Sequence, residues 1–264
     1  MSGLATWAKS RFGDGMPIIL SEVTGTDGSA PREPGVRMLV TAGQIFGTIG
    51  GGALEHQAIT AARSMLTDGT TTQTLTIALG PEIGMCCGGR VSLSLKLIDE
   101  MTLVALAQQQ ATTLSTQPTI WIYGAGHVGQ ALTRALAPLP FTTHVIDSRQ
   151  NWLNRLPTGT AQTLTAIPEA EVNSANPNDA IIIMTHDHAQ DFMIAEAALT
   201  KTDLAYVGMI GSTSKRKVLE AQLARTNGPD PAPLHCPIGH PGKTLRSPEI
   251  IAALLTADLT QRLL

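Results

Sequence analysis

Hydrophobic residues follow different patterns in the two halves of the chain. In the first half, apolar and polar residues alternate over Val91–Ile98, which predicts a half-buried strand, whereas apolar residues recur at helical spacing over Ala53–Leu66. The interval Gly25–Gly35 contains several Gly and Pro residues and predicts a loop. In chain order, the predicted helix, three strands, helix, two strands and helix of this half are Gly3–Phe12, Pro17–Val23, Val36–Val40, Gln44–Ile49, Ala53–Leu66, Thr72–Leu79, Val91–Ile98 and Glu100–Gln110.

In the second half, strands alternate with helices, which is typical of a parallel sheet with helices on both faces. Ala180–Thr185 is almost wholly apolar, as expected for a strand that is covered on both faces. The predicted strands are Thr119–Tyr123, Thr143–Asp147, Ala180–Thr185 and Ala205–Met209. The predicted helices are His127–Ala137, Ala189–Leu199, Lys215–Arg225 and Ser247–Leu263, the last with Ser247 as its N-cap.

A polar segment separates the two patterns. Gln108–Gln117 is rich in Gln, Thr and Ser and suits a linker. The sequence therefore predicts an α/β protein with a small N-terminal α+β domain over residues 1–112. A Rossmann-like domain with a parallel, doubly wound sheet is predicted over residues 118–264.

Composition narrows the class of protein. Hydrophobic residues make up 43% of the chain and charged residues 15%, as in a globular protein. A net charge of -3 without a long basic run argues against broad electrostatic binding to nucleic acid. No stretch reaches the ~18–20 apolar residues of a membrane span. The three cysteines, two of them adjacent, form a poor disulfide framework, so we expect a soluble, cytoplasmic protein.

A G-x-G-x-x-G motif opens the second half. Gly124, Gly126 and Gly129 follow a predicted strand and begin a predicted helix, and Asp147 ends the next strand. This context favours a dinucleotide-type phosphate site, with Asp147 accepting hydrogen bonds from a ribose diol. Arg149 weakens the argument against a ribose 2′-phosphate. The alternative is that the glycines only shape a corner between strand and helix.

The first half carries a second set of glycines. Gly50, Gly51 and Gly52 lie between a predicted strand and helix and could present their amides to an anion. Gly88 and Gly89 form another glycine pair, and Arg32 could pair with a phosphate, as could Arg37 and Arg90. The alternatives are tight turns without a ligand and solvated surface charges.

Two adjacent cysteines precede that glycine pair. Cys86 and Cys87 cannot form an unstrained disulfide with each other, but their thiolates could bind a soft metal or carry sulfur. No second C-x-x-C completes a zinc pattern. The alternative is a pair of small buried thiols.

Polar residues follow the apolar strand Ala180–Thr185. His186, Asp187 and His188 lie where ligands bind in doubly wound sheets and could contact a cofactor. Alternatively, Asp187 is a helix cap and the histidines are polar loop residues.

Taken together, these motifs resemble the XdhC/CoxI family, the accessory proteins of xanthine dehydrogenase and related molybdenum hydroxylases. The resemblance covers nearly the whole chain and lies in Gly28–Arg32, Gly47–Glu55, Cys86–Gly89, the Gly124 loop, Thr185–His188, Gly208–Ser212 with Lys215–Arg216, and Cys236–Gly239. The sequence departs from the family pattern at two places, which bear on the detailed ligand specificity. Met85 stands where the family often has Gln, and Pro241–Ser247 differs from the usual family sequence before the last helix.

The resemblance implies a chaperone for the molybdenum cofactor (molybdopterin), with cofactor-binding residues in the motifs above and Cys86 and Cys87 at the metal. It implies that the cofactor is protected during sulfuration by a cysteine desulfurase and then delivered to apo-xanthine dehydrogenase. The competing interpretation is an NAD(P)-dependent oxidoreductase, although the chain has only two tyrosines, Tyr123 and Tyr206, for acid–base catalysis. A homodimer would fit the apolar C-terminal helix, but nothing in the sequence requires one.

Overall fold

A computed structural model describes residues 3–29, 32–80, 88–239 and 247–264. The chain divides into two compact units, Met1–Ser115 and Thr116–Leu264. Within the described residues, no helix is both long enough and apolar enough to cross a membrane.

The first unit is built on a five-stranded antiparallel sheet with the strand order β3-β2-β1-β5-β4. Helix α2 packs on one face through an apolar stripe that includes Leu54, Ala58 and Met65, and helices α1 and α3 pack on the other. The elements are α1 (Leu4–Gly13), β1 (Ile19–Asp27), β2 (Arg37–Val40), β3 (Ile45–Gly47), α2 (Gly52–Asp68), β4 (Thr72–Ala78), β5 (Arg90–Leu97) and α3 (Glu100–Thr116).

The second unit is built on a six-stranded parallel sheet with the order β11-β10-β9-β6-β7-β8. Counted within this unit, that is the order 6-5-4-1-2-3 of dinucleotide-binding folds. The elements are β6 (Thr119–Tyr123), α4 (His127–Leu136), β7 (Thr142–Asp147), α5 (Gln150–Leu153), β8 (Ala161–Leu164), β9 (Ala180–Ile183), α6 (His188–Leu199), β10 (Tyr206–Met209), α7 (Thr213–Thr226), β11 (Leu234–His235) and α8 (Pro248–Leu263), with a 3-10 helix at Pro168–Ser174.

Both faces of this parallel sheet are covered, which explains why β9 is wholly buried. Helices α4 and α8 cover one face, and α6 and α7 cover the other. At the opposite end from the glycine loop, the buried carboxylate of Asp179 accepts hydrogen bonds from the Thr119 amide at 2.8 Å and from Trp121 Nε1 at 2.9 Å. Asp179 thereby ties β6 to the start of β9. The predicted fold class is confirmed in both units.

The predicted linker is wrong as local structure, because helix α3 continues through it to Thr116. The Thr112 and Thr113 hydroxyls donate to the carbonyls of Gln108 and Gln109, at 3.1 and 3.0 Å. These bonds let the polar residues remain in the helix, where Gln, Ala and Leu are favourable.

Candidate functional site

The glycine loop after β6 contains two kinds of glycine. Gly124 has a φ of +121°, and a Cβ there would lie 2.3 Å from the Met184 carbonyl oxygen. A Cβ at Gly129 would lie 2.0 Å from the Gly124 carbonyl oxygen. At Gly126 a Cβ would meet nothing within 4 Å, and the φ of -63° suits any residue. Gly124 and Gly129 therefore shape the loop, and Gly126 faces open space.

Helix α4 begins directly at this loop. Its N-cap is Gly126, which supplies no side-chain acceptor to the amides of the first turn. Those amides, together with the positive end of the helix dipole, suit an anion. The loop could therefore hold an anionic group such as a phosphate through the amides of Gly126 and the first turn of α4.

The Asp147 carboxylate at the end of β7 lies against the loop. Its Oδ2 accepts from the Ala125 amide at 2.7 Å, so the acid fixes the loop backbone. Burial by itself raises the pKa of Asp147, but hydrogen bonds from Arg149 and Ala125 and the Arg149 charge outweigh it and lower the pKa. Asp147 is therefore an ionised group that braces the loop.

The residues after β9 complete this edge of the sheet. The Asp187 side chain caps α6 by accepting from the Ala189 amide at 2.8 Å, and His186 and His188 are exposed. A narrow cleft brings the loop, the end of β7 and His186 together, and its lining is Gly124, Ile146, Asp147, Ser148, Pro168, Thr185, His186 and Gln190. His188 is not part of that lining. The cleft lies where strand order reverses, at the usual ligand position of this topology.

A buried ion pair between Asp191 and Lys215 supports the same edge of the sheet. This pairing was not predicted from the sequence. Asp191 is 1% exposed and accepts from the Thr185 amide at 3.0 Å and from the Thr185 hydroxyl at 2.7 Å. Lys215 donates to Asp191 and, at 3.1 Å, to the Ile210 carbonyl. The pair thus connects the loops that follow β9 and β10, and the sequence signals were the His-Asp motif and the basic start of α7.

In the first unit, the glycine motifs lie at one end of the antiparallel sheet. Strand pairing places the end of β1 beside the start of β5, with Asp27 opposite Arg90. The start of β2 and the ends of β3 and β4 lie at this same end of the sheet. Ser29 bridges to Gly88, and a Cβ at Gly89 would lie 2.2 Å from the Ser29 carbonyl oxygen. The Gly28 and Gly88 loops therefore pack closely, backbone against backbone.

The triple glycine leads from β3 into α2 at this end of the sheet. Gly50, Gly51 and Gly52 all have positive φ, and a Cβ at Gly51 or Gly52 would meet nothing within 4 Å. Glu55 braces the turn, accepting from the Thr48 hydroxyl and from the amides of Ile49 and Gly51, the latter two at 3.2 Å. The turn therefore presents open backbone beside the N-terminus of α2.

The other predicted residues of this unit have different settings. Arg32 and Arg90 are exposed, whereas Arg37 is paired with Glu22 at 3.0 Å. The predicted metal ligands Cys86 and Cys87 lie outside the described residues. Among the residues that are described, no group of three or more His, Cys, Asp or Glu is placed to hold a metal ion.

Comparison with known proteins agrees with both units. The family model described as the XdhC Rossmann domain matches residues 120–259, and that of the XdhC and CoxI family matches residues 13–78. A crystal structure described as a xanthine dehydrogenase from Bacillus halodurans matches with a TM-score of 0.80 over 97% of this chain and 94% of that chain. At 20% identity this likeness shows the fold.

The uncharacterized protein YqeB of Escherichia coli (strain K12) is 25% identical over 260 residues. The match covers 93% of this chain and 43% of YqeB, so this chain spans less than half of that relative's length. Because the Rossmann-domain model matches more than half of the residues of this chain, the chain belongs to the XdhC and CoxI family.

Proposed function

We propose that this chain is a cytoplasmic chaperone for the molybdenum cofactor. It holds the cofactor, protects it while a cysteine desulfurase supplies sulfur, and delivers it to apo-xanthine dehydrogenase. The observation that carries the proposal is the position of three glycine-rich segments at the same end of the first unit's sheet, in a chain of this family. There, Gly51, Gly52 and Gly88 all face open space.

The residues of this sheet end fit the chemistry of the cofactor, which presents a pterin, a phosphate and a sulfur-bound metal. The backbone around Gly51 and the N-terminus of α2 suit the phosphate, and the exposed Arg32 supplies charge. We propose that Cys86 or Cys87 binds the molybdenum or its terminal sulfur, because thiolates are soft ligands. The bound cofactor would supply the redox chemistry of the client enzyme, whereas this chain supplies binding and shielding.

An NAD(P)-dependent oxidoreductase is the second candidate, and the geometry of the Gly124 loop favours it. Such an enzyme also needs an acid–base group at the nicotinamide. Tyr123 is fully buried and Tyr206 is 2% exposed, and burial raises the pKa of both phenols. Neither phenol is therefore available for catalysis at the cleft, so an oxidoreductase would have to use His186, which lines the cleft, as its acid–base group.

Molybdenum and pterin analysis of protein purified from a molybdate-fed host tests the proposal. We expect the parent to carry both, and Cys86→Ser/Cys87→Ser to lose molybdenum with an unchanged melting temperature. Equal molybdenum in the two proteins would show that the cysteines are structural. A parent without pterin or molybdenum would refute the proposal.

A deletion strain tests delivery to the client. At limiting molybdate, xanthine dehydrogenase from this strain should be folded but inactive, and re-expression of this chain should restore its activity. Full xanthine dehydrogenase activity without this chain would show that delivery does not depend on it.

A further inference from the structure

The hydrogen-bonding capacity of Asp147 is fully used within the protein. Its Oδ1 accepts from the Arg149 amide and from Arg149 Nε, both at 2.9 Å. Its Oδ2 accepts from the Ala125 amide at 2.7 Å and from Arg149 Nη2 at 2.9 Å. A carboxylate offers about four lone-pair positions. With a side chain only 3% exposed, Asp147 has no acceptor left for the hydroxyls of a ribose.

Arg149 is held rigidly by this contact but retains donors. Asp147 engages its Nε and Nη2, so the N–H groups of Nη1 are not used in the pair. The Arg149 side chain is 28% exposed, in contrast to the carboxylate beneath it. The pair therefore presents to solvent a guanidinium whose orientation is fixed, which is the arrangement that binds phosphate well.

The surroundings of Arg149 add positive charge. The guanidinium carbons of Arg149 and Arg155 lie 5.4 and 4.7 Å from the centroid of the Trp152 ring. The ring of His127, at the start of α4, contacts Trp152 edge-on with a centroid distance of 5.0 Å. In the part of the chain that the structure describes, no carboxylate forms an ion pair with Arg155. The cluster is thus net positive beside a helix N-terminus.

We infer that the end of β7 is a subsite for a phosphate monoester held by Arg149, and that Asp147 positions this arginine instead of binding a ribose diol. In this topology the end of β7 meets the ribose of a nucleotide whose pyrophosphate lies on the glycine loop. The phosphate has two possible sources: the 2′-phosphate of an adenine dinucleotide, and the terminal phosphate of the pterin, which would then lie here and not at the N-terminus of α2. The inference rests on the proposed binding role of the Gly124 loop.

Calorimetric titration of the full chain with adenosine 2′,5′-bisphosphate (2′,5′-ADP) and with adenosine 5′-monophosphate (AMP) tests the inference, because the two probes share the 5′-phosphate and differ only in the 2′-phosphate. We expect 2′,5′-ADP to bind at least about tenfold more tightly than AMP. Arg149→Ala should remove this preference without weakening AMP. Arg134→Ala is the matched control, since Arg134 is exposed at the far end of α4 and its loss should leave the preference intact.

If Arg149→Ala lowers the melting temperature, Arg149→Lys is the second variant, because it keeps a positive charge beside Asp147. The preference of Arg149→Lys for 2′,5′-ADP should still fall, since an ammonium lacks the Nη1 N–H groups of the guanidinium. If neither adenine probe binds, a loss of pterin from Arg149→Ala protein would assign the phosphate to the pterin. Equal affinity for the two probes in the parent, an unchanged preference in Arg149→Ala, or unchanged pterin without adenine binding would overturn the inference. A parent that lacks molybdenum but prefers 2′,5′-ADP would refute only the chaperone proposal.

Discussion

In each unit an acidic side chain braces a glycine-rich loop, but the two acids act over different distances along the chain. Glu55 lies in the first turn of α2 and holds amides four to six residues before it. Asp147 lies on β7 and holds the Ala125 amide, 22 residues before it. Glu55 is half-buried, whereas Asp147 is buried. The first brace is local, and the second exists only once β6 and β7 have paired.

The open glycines of the two units also differ. Gly51 combines a φ of +75° with a ψ of -174°, a conformation essentially restricted to glycine. The backbone of this turn therefore requires glycine at position 51 whether or not a ligand binds. Gly126 has an ordinary extended conformation and needs to be glycine only if something approaches it. A substitution at Gly126 therefore separates ligand binding from folding, whereas one at Gly51 cannot.

The largest effect is expected for Gly129→Ala. Its Cβ would lie 2.0 Å from a backbone oxygen, so the helix must shift away from the strand. We expect a loss of about 3 kcal/mol in the free energy of unfolding. Gly126→Ala is the control and should lower that free energy by much less, about 1 kcal/mol at most, because alanine is a poorer N-cap than glycine but meets no steric clash. Urea unfolding measures both, and equal stability of the two variants would contradict the assigned roles.

Asp147→Asn should have the next largest effect. The amide side chain cannot accept all four hydrogen bonds and leaves the guanidinium of Arg149 without its partner. We expect a loss of about 2 kcal/mol in the free energy of unfolding, since hydrogen bonds to buried charged groups are strong. Chemical denaturation checks this, and a stable variant would mean that the loop does not depend on its brace.

Glu55→Gln should lower the free energy of unfolding by less, about 1 kcal/mol. The Glu55 side chain is half-buried, so water can replace part of the hydrogen bonding that the carboxylate provides. The comparison between the two braces is sharpened by measuring this variant beside Asp147→Asn under the same conditions. A larger loss for Glu55→Gln than for Asp147→Asn would reverse the order that burial predicts.

The smallest effect concerns acid stability. Burial alone would raise the pKa of Asp147, but its bonds to Arg149 and Ala125 lower it below the ordinary 3.8. A carboxylate whose pKa is lowered in the folded state stabilises the fold at pH values above its pKa in the unfolded chain. This contribution is lost as the pH falls through the pKa of the folded state. Asp147→Asn should therefore flatten the acid side of the stability profile. Glu249→Gln, at an exposed position, is the control, and parallel profiles for parent and Asp147→Asn would count against this role.

Much of the Gly124 site could be predicted because it depends on spacing along the chain. The order of strand, loop and helix places Gly124, Gly126 and Gly129 in their positions, and the steric roles of the first and third follow from it. The partners of Asp147 could not be predicted in this way. They depend on the Arg149 side chain folding back onto the acid, which no periodicity encodes.

Other features are also absent from the sequence pattern for physical reasons. Strands β8 and β11 lie at the two edges of the parallel sheet, and the segments Ala161–Leu164 and Leu234–His235 are too short to show a periodicity. Asp191 and Lys215 lie on different helices, 24 residues apart, and meet only when β9 and β10 are adjacent. Tertiary contacts of this kind need the folded sheet.

The hydrogen bonds by which Asp179 ties β6 to the start of β9 have a consequence for the folding of the second unit during synthesis. Strand β6 is synthesised first but ends in the middle of the sheet, and its Trp121 indole reaches its partner only when a residue 58 positions later arrives. The same indole stacks on the His144 ring on the other side, with centroids 4.7 Å apart. Until β9 emerges from the ribosome, the indole of a nascent chain lacks its acceptor. Trp121, one of three tryptophans in the chain, thus acquires its hydrogen-bond partner only when the two halves of the sheet join.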